Sequence, residues 1–223
     1  MVDSQRRAGY LEALGIDVWV PRLVVPQVSA FDWHDFNSRV SVCKRCSLHT
    51  GRINTVVGVG NPRAHWLVIG DAPSAIDDAQ GEPFLGPPGD LINAMLAAID
   101  LPREAVFMTQ VLKCKRPVQL NTESIIDANH AQNCLPYLAE QIENLQPRII
   151  LIFGLAAAQA FLQTGDSLDQ LRSKVHYYGK LATPVVVTFH PEFLLHTPTS
   201  KRDAWEDLKF ARNTYLKLNM IKS

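Results

Sequence analysis

Residues 148–154 read RIILIFG, an apolar run of strand length that ends in glycine. Three more stretches share this apolar character: HWLVIG at 65–70, VFMTQVLK at 106–113 and PVVVTFH at 184–190. Continuous apolar runs, rather than alternating ones, are typical of strands that are buried on both faces of a parallel sheet. The sequence therefore predicts a central sheet of four parallel strands.

Helical patterns separate these strands, at 90–99, 122–145, 155–163 and about 201–217, and another begins near Ser29. Alternation of strands with helices predicts an α/β fold of three layers, α/β/α, with helices on both faces of the sheet. In such folds ligands bind beyond the carboxyl ends of the strands. We therefore expect functional residues in the loops that follow the four apolar runs.

The charge of the chain is balanced, with 22 Lys and Arg against 22 Asp and Glu among 223 residues. A balanced charge gives no global field toward nucleic acid, so DNA contacts must rest on local basic patches. The candidates for such a patch are Lys44, Arg45, Arg52, Lys113, Lys115 and Arg116. No stretch approaches the roughly 20 apolar residues of a membrane span, and the first residues do not read as a secretion signal. We therefore expect a cytoplasmic protein without a membrane partner, in which disulfides are disfavoured.

Four cysteines consequently need another explanation. Cys43 and Cys46 form a C-x2-C pair, Cys114 follows after 67 residues, and Cys134 after 19 more. A C-x2-C pair directs two thiolates toward one metal centre. The spacing leaves three interpretations open: a tetrahedral zinc ion, an iron–sulfur cluster, or unrelated buried thiols.

Four segments, in order, resemble the iron–sulfur (family four) uracil-DNA glycosylases. They are GDAPSAIDDAQGEPFLGPPGDLI at 70–92, TQVLKCKRP at 109–117, NCLPYLAEQIENLQPRIILIFGLAAAQ at 133–159 and TFHPEFLLH at 188–196. The resemblance covers roughly residues 32–217 and includes the positions of all four cysteines. It implies the glycosylase fold for a domain at 29–223, and a structural 4Fe–4S cluster held by Cys43, Cys46, Cys114 and Cys134.

The same resemblance implies roles for residues in the loops. The catalytic candidates are Asp71, Asp77 and His190, the base-pocket candidates are Phe84, Gln110 and Ser74, and the DNA-wedge candidates are Leu194 and Leu195. Phe84 would stack on uracil, and His190 would donate a hydrogen bond to the developing uracil oxyanion. Asp71 and Asp77 stand where the family has acidic residues near the sugar and the attacking water. Ordinary alternatives are a core position for the phenylalanine, turns for the aspartates and a turn cap for the histidine.

Several residues depart from the family pattern, and they are at positions expected to take part in catalysis or in binding of the base. Asp71 replaces glutamate, Ser74 replaces glycine, and Gln110 replaces the asparagine that reads the uracil edge. Glu192 replaces a serine, which puts a carboxylate in a loop that approaches DNA phosphates. A base reader displaced by about 1 Å can lose on the order of 100-fold in rate. Together these departures predict a degenerate catalytic pocket.

The first 28 residues predict a separate partner-docking peptide and linker. RRAGYLEALGIDVWVPR at 6–22 resembles the N-terminal peptide of the psi subunit of the bacterial DNA polymerase III clamp loader. The resemblance implies binding to the clamp-loader ATPase subunits through the peptide, and to the chi subunit through the body. The docking residues would be Leu11, Leu14, Ile16 and Trp19. The alternative is a segment that packs on its own domain.

The two resemblances predict two functions. The first is a DNA replication accessory, a psi-like clamp-loader subunit that uses the glycosylase fold with a degenerate pocket and reaches DNA directly or through its partners. The alternative is an active uracil-DNA glycosylase that excises uracil or another deaminated base in base-excision repair.

Overall fold

A computed structural model describes residues 31–117 and 126–220 of the chain. The expected docking peptide at 1–28, with Leu11, Leu14, Ile16 and Trp19, lies outside the described residues. No helix among the described residues is long and apolar enough to cross a membrane.

The described strands form one mixed sheet. They are β1 (Val59–Gly60), β2 (Trp66–Gly70), β3 (Val106–Gln110), β4 (Ile149–Phe153), β5 (His176–Tyr178) and β6 (Thr183–Thr188), in the order β1-β3-β2-β4-β6-β5. The inner strands β3, β2, β4 and β6 are mutually parallel, as the four apolar runs predict. The parallel core of the predicted sheet is therefore confirmed.

Helices cover both faces of the sheet. They are α1 (Trp33–Ser41), α2 (Ala75–Gln80), α3 (Gly86–Ala97), α4 (Ala128–Leu145), α5 (Leu155–Leu162), α6 (Leu168–Leu171), α7 (Pro191–His196) and α8 (Lys201–Met220). Leu67 and Ile69 of β2 pack in one core cluster with Leu138 of α4, whereas Val68 packs in another with Ile92 of α3. Successive strand residues point to opposite faces, so a sheet covered on both sides needs apolar residues at every position. The predicted three-layer α/β/α fold is confirmed.

Two edge strands, β1 and β5, were not predicted. Both pair antiparallel to their neighbours, β1 with β3 and β5 with β6. β1 has two residues and includes a glycine, and β5 has three residues that are not buried. The sequence analysis identified strands by continuous apolar runs, and these short edge strands have none.

The helix expected over 122–145 begins later, at Ala128. Asp127 lies just before it, and its carboxylate accepts hydrogen bonds from the backbone N–H groups of Asn129 and His130. Such a side chain satisfies N–H groups that have no partner inside the helix, and so marks its first turn.

The loops after β4 and β6 approach each other closely at Gly154. Gly154 has φ +97° and ψ 156°, and its N–H donates to the carbonyl oxygen of Thr188. A Cβ atom at this position would lie 3.0 Å from the Cβ of His190. Only glycine adopts this backbone conformation without strain.

We predict that Gly154→Ala destabilises the protein by about 1–3 kcal/mol, because it combines backbone strain with the contact to His190. Gly165→Ala is the matched control, since no atom lies within 4 Å of a Cβ there. Urea unfolding of both variants measures the difference. An equal free energy of unfolding for Gly154→Ala and wild type would contradict this account of the loop packing.

Candidate active site

The carboxyl edge of the sheet brings Asp71 and His190 together. Asp71 directly follows β2, and His190 comes two residues after β6. β4 lies between these two strands, but it is followed by Gly154, which has no side chain to separate them. His190 therefore reaches across the end of β4, and its Nε2 lies 3.3 Å from Oδ1 of Asp71.

The other ring nitrogen of His190 fixes the position of the proton. The backbone N–H of Glu192, in the first turn of α7, donates to Nδ1 at 3.3 Å. A nitrogen that accepts a hydrogen bond carries no proton, so the neutral ring holds its proton on Nε2, facing Asp71. His190 is thus oriented as a hydrogen-bond donor at this edge.

Burial and charge oppose each other at His190. Burial favours the neutral ring, but the hydrogen bond and charge of Asp71, with the charge of Glu192, outweigh it and raise the pKa of His190. For Asp71, burial raises the pKa of the carboxyl. There the hydrogen bond and charge of His190, the charge of Arg116 and the N–H of Ala72 hold the pKa of the carboxyl below its usual range. Asp71 is therefore ionised at neutral pH.

Arg116 approaches Asp71 from the side opposite His190. Its Nη2 lies 3.2 Å from Oδ2 of Asp71, and the N–H of Ala72 donates to Oδ1 at 2.7 Å. The carboxylate is thus held by three donors. Arg116 is a site residue whose role the sequence did not indicate, because its pairing depends on how the loop after Cys114 folds back.

Phe84 and Gln110 lie together beside the end of β2. Phe84 is buried in the left-handed region at φ 58°, and a Cβ at Gly70 would lie 2.7 Å from its ring. The same Cβ would lie 3.5 Å from Cγ of Gln110. The structure therefore groups the two expected base-pocket residues against a glycine that allows close approach.

The carboxamide of Gln110 has a defined orientation. Its Nε2 donates to the carbonyl oxygen of Ala72 at 3.1 Å and to Oδ2 of Asp77 at 3.3 Å. Both partners are acceptors, so the opposite orientation would set oxygen against oxygen. Exchange of Oε1 and Nε2 is thus ruled out, and Oε1 remains a buried acceptor with no hydrogen-bond partner among the described residues.

Asp77 and Ser74 form the cap of helix α2. The hydroxyl of Ser74 accepts from the N–H of Asp77, and Oδ2 of Asp77 accepts from the N–H of Ser74. Oδ1 of Asp77 also accepts from the N–H of Leu85, and the residue is 2% exposed. These contacts favour a structural role for Asp77 over contact with an attacking water. Ser74 is exposed and does not fill the space around Phe84 and Gln110.

A cavity of about 430 Å³ opens beside the Asp71–His190 pair. Apolar groups from three elements line it, namely Leu155 of α5, Leu168 of α6, and Phe189 and Phe193 around α7. Asp71 and His190 form part of its wall. The site therefore offers an apolar space with a hydrogen-bond donor and a carboxylate at one side, a common composition of ligand pockets.

All four cysteines line a second, smaller cavity. Cys43 and Cys46 follow α1, Cys114 follows β3, and Cys134 lies in α4, and all four are free thiols. Burial raises the pKa of Cys114, and raises that of Cys134 to about 11. Within the described ranges, no three His, Cys, Asp or Glu side chains have the geometry to hold a single metal ion. The cavity thus gathers all four cysteine sulfurs.

Comparison with known proteins agrees with this arrangement. A model of the uracil DNA glycosylase superfamily matches residues 57–209, more than half of the chain. The chain belongs to this superfamily. A type-4 uracil-DNA glycosylase of Archaeoglobus fulgidus is 33% identical over 182 residues, which cover 78% of this chain and 89% of that protein. Those of Pyrobaculum aerophilum and Thermotoga maritima are each 31% identical, over 79% of this chain and 91% of the relative.

The superfamily match begins after the N-terminal peptide and says nothing about it. The psi-like resemblance and the clamp-loader partners therefore stay predictions, as does a separate domain boundary at residue 28. The relatives instead favour the glycosylase alternative of the sequence analysis over the replication accessory.

The prediction that Leu194 is a DNA-wedge residue is wrong. Leu194 is fully buried and packs with Phe189 and Ala204, so it cannot insert into DNA. Leu195 is 37% exposed, and its neighbour Phe193 is 46% exposed. The buried residues of α7 are Pro191 and Leu194, three positions apart on one helical face, and the sequence PEFLLH does not reveal which face packs inward.

Fewer basic side chains are available to contact DNA phosphates than the sequence predicts. Lys113 is fully buried, and its Nζ donates to Oγ1 of Thr109, the carbonyl oxygen of Gln110 and Oε1 of Gln141. Lys113 is therefore excluded as a phosphate contact. Three other members have hydrogen-bond or ion-pair partners: Arg52 donates to Cys114 Sγ at 3.1 Å, Lys115 pairs with the buried Asp78, and Arg116 pairs with Asp71.

We predict that Asp71→Asn lowers the pKa of His190, because it removes the negative charge that favours the imidazolium and leaves only a neutral amide oxygen as acceptor. Titration of the histidine signals by NMR measures this pKa. Asp35→Asn, which alters an exposed carboxylate on α1, should leave it unchanged. A His190 pKa that stays the same in Asp71→Asn would contradict the paired geometry.

Proposed function

We propose that this protein is a uracil-DNA glycosylase that hydrolyses the bond between uracil and deoxyribose in DNA. The observation that carries the proposal is the pairing of an ionised Asp71 with His190, whose Nε2 faces it, at the carboxyl edge of the sheet. Membership of the superfamily and the names of the type-4 relatives support the same conclusion. The activity would serve the repair of deaminated cytosine.

His190 is suited to the departing base. Cleavage of the glycosidic bond leaves negative charge on uracil, and a fixed donor aimed at that charge stabilises the transition state. The N–H of Glu192 holds the ring by Nδ1, so Nε2–H is the donor that the base would receive. This donor is already in place before the bond breaks.

Asp71 is suited to the sugar. Cleavage leaves positive charge on the deoxyribose, and a nearby carboxylate stabilises this charge. The carboxylate can also orient a water molecule for attack on the sugar. Arg116 and His190 keep the Asp71 carboxyl ionised, so the charge is present before the bond breaks. The aspartate is shorter than the glutamate of the family pattern, but its three donors hold it in place.

Gln110 and Phe84 are suited to the base itself. Both N–H groups of the Gln110 carboxamide are committed to Ala72 and Asp77, which leaves Oε1 as an acceptor for the N3–H of uracil. Phe84 supplies an aromatic face for stacking. Because both are buried, a base extruded from the duplex would enter by displacing Phe84 from Gly70.

The four cysteines fit the 4Fe–4S cluster that the resemblance to the iron–sulfur glycosylases implies. They line one cavity, and Nη1 of Arg52 donates to Cys114 Sγ, a contact that suits an anionic thiolate centre. Bound there, the cluster would supply a structural cross-link rather than a reacting group. Cys43, Cys46, Cys114 and Cys134 would join the segment after α1, the loop after β3 and helix α4.

We predict that the purified protein releases uracil from a uracil-containing duplex, detected as strand breaks after alkali. His190→Ala should lower the single-turnover rate by about 100-fold or more, in line with the loss of a transition-state donor. His34→Ala, an exposed histidine on α1, is the control and should keep the wild-type rate. No strand breaks at high enzyme concentration, on either single- or double-stranded DNA, would refute the proposed activity.

We further predict that protein purified without oxygen contains iron and acid-labile sulfide and absorbs broadly in the visible range. Cys134→Ser should lose most of the iron and the colour, because the cluster needs all four thiolates. Ser47→Ala, which alters the residue next to Cys46 in the chain, should retain both. Stoichiometric zinc in a colourless protein would contradict the cluster assignment.

A further inference from the structure

A buried ion pair lies directly behind the strand end that carries His190. The guanidinium of Arg172, just after α6, donates to both carboxylate oxygens of Asp207 on α8, at 2.7 Å through Nε and 3.3 Å through Nη2. The side chain of Asp207 is 1% exposed and that of Arg172 12%. Buried pairs of this kind are costly to form, so their retention calls for a specific reason.

The pair is bonded to the backbone segment that leads to His190. Oγ1 of Thr188, the last residue of β6, donates to Oδ2 of Asp207 at 2.8 Å. The guanidinium carbon of Arg172 lies 4.1 Å from the centre of the Phe189 ring. Thr188 and Phe189, the two residues before His190, are thus both held by the same ion pair.

The segment after His190 is held through the same ring. Phe193 of α7 stacks on Phe189 with the ring planes 9° apart and the centroids separated by 5.5 Å. Planar contacts of guanidinium and aromatic groups are directional as well as attractive. His190 is consequently flanked on both sides by residues that contact Arg172 or the groups bound to it.

We propose that Arg172 is a positioning residue for His190, acting with Asp207 through Thr188 and Phe189. It does not reach the pair itself: the ionisable groups that face His190 are Asp71 after β2, Arg116 after β3 and Glu192 on α7. Removing Arg172 would let the end of β6 shift and would lengthen the contact between His190 Nε2 and Asp71. This inference rests on the proposed function for its catalytic consequence, but not for the geometry.

The test uses the double variant Arg172→Met/Asp207→Asn, which removes the ion pair without leaving a buried charge. Its net charge equals that of wild type, so a change in the pKa of His190 reports a change in position rather than a lost charge. The matched control is Arg212→Met/Asp100→Asn, which makes the same exchange in an exposed pair between α8 and the loop after α3. Thr188→Val is a milder variant that removes only the hydroxyl contact to Asp207.

The measurements are the pKa of His190 by NMR titration, the affinity for uracil-containing DNA, and the single-turnover excision rate. We expect a lower pKa of His190 in the double variant, because the contact to Asp71 that raises it is weakened, and a smaller decrease in Thr188→Val. The excision rate should fall at least tenfold with DNA affinity within about twofold of wild type, since a displacement of 1 Å costs on the order of 100-fold. The control should match wild type in all three.

A double variant with a lower melting temperature but an unchanged His190 pKa and excision rate would overturn the proposal and assign the pair to stability alone. If the double variant does not fold, the pKa of His190 in Thr188→Val decides, and an unchanged value counts against the proposal. Absence of excision by the wild-type protein would refute the proposed function, and the NMR comparison would still test the positioning role.

Discussion

The contact between His190 and Asp71 depends on a glycine, Gly154, at the end of the strand that lies between them. The two residues follow strands that are not neighbours, and the strand between them ends at Gly154. A Cβ there would meet the ring of His190, so the glycine lets one loop cross the sheet edge to the other. Two features of the site depend on this crossing: the contact by which His190 helps to keep Asp71 ionised, and the access of both groups to one cavity.

Four buried aspartates show how the surroundings, rather than the residue type, assign a role. Asp77 caps a helix, Asp78 accepts from the backbone of Ile53 and Asn54, and Asp207 neutralises Arg172. Only Asp71 has a histidine and an open cavity beside it. A carboxylate enclosed by backbone N–H groups stabilises a loop, whereas one beside a donor and a cavity is available to a ligand.

The sequence predicts the parallel strands and both helical layers because continuous apolar runs can be satisfied only by burial on two faces. It also predicts which loops carry the site, since the carboxyl ends of parallel strands share one edge. It does not predict the burial of Leu194 and Lys113, or the pairing of Arg116, because these depend on how short segments fold back on the sheet. The departure at Gln110 was expected to misplace the base reader, whereas the structure turns its N–H groups toward Ala72 and Asp77 and leaves one acceptor.

In the proposed function, His190 and Asp71 face an extruded uracil. The most direct measurement is the crystal structure of the protein with a duplex that contains a deoxyuridine analogue with an uncleavable bond between base and sugar. The account predicts the analogue outside the helix, with His190 Nε2 within hydrogen-bond distance of a carbonyl oxygen of the base and the sugar beside Asp71. An analogue that remains stacked in the duplex, or a base bound with His190 still paired only to Asp71, would contradict it.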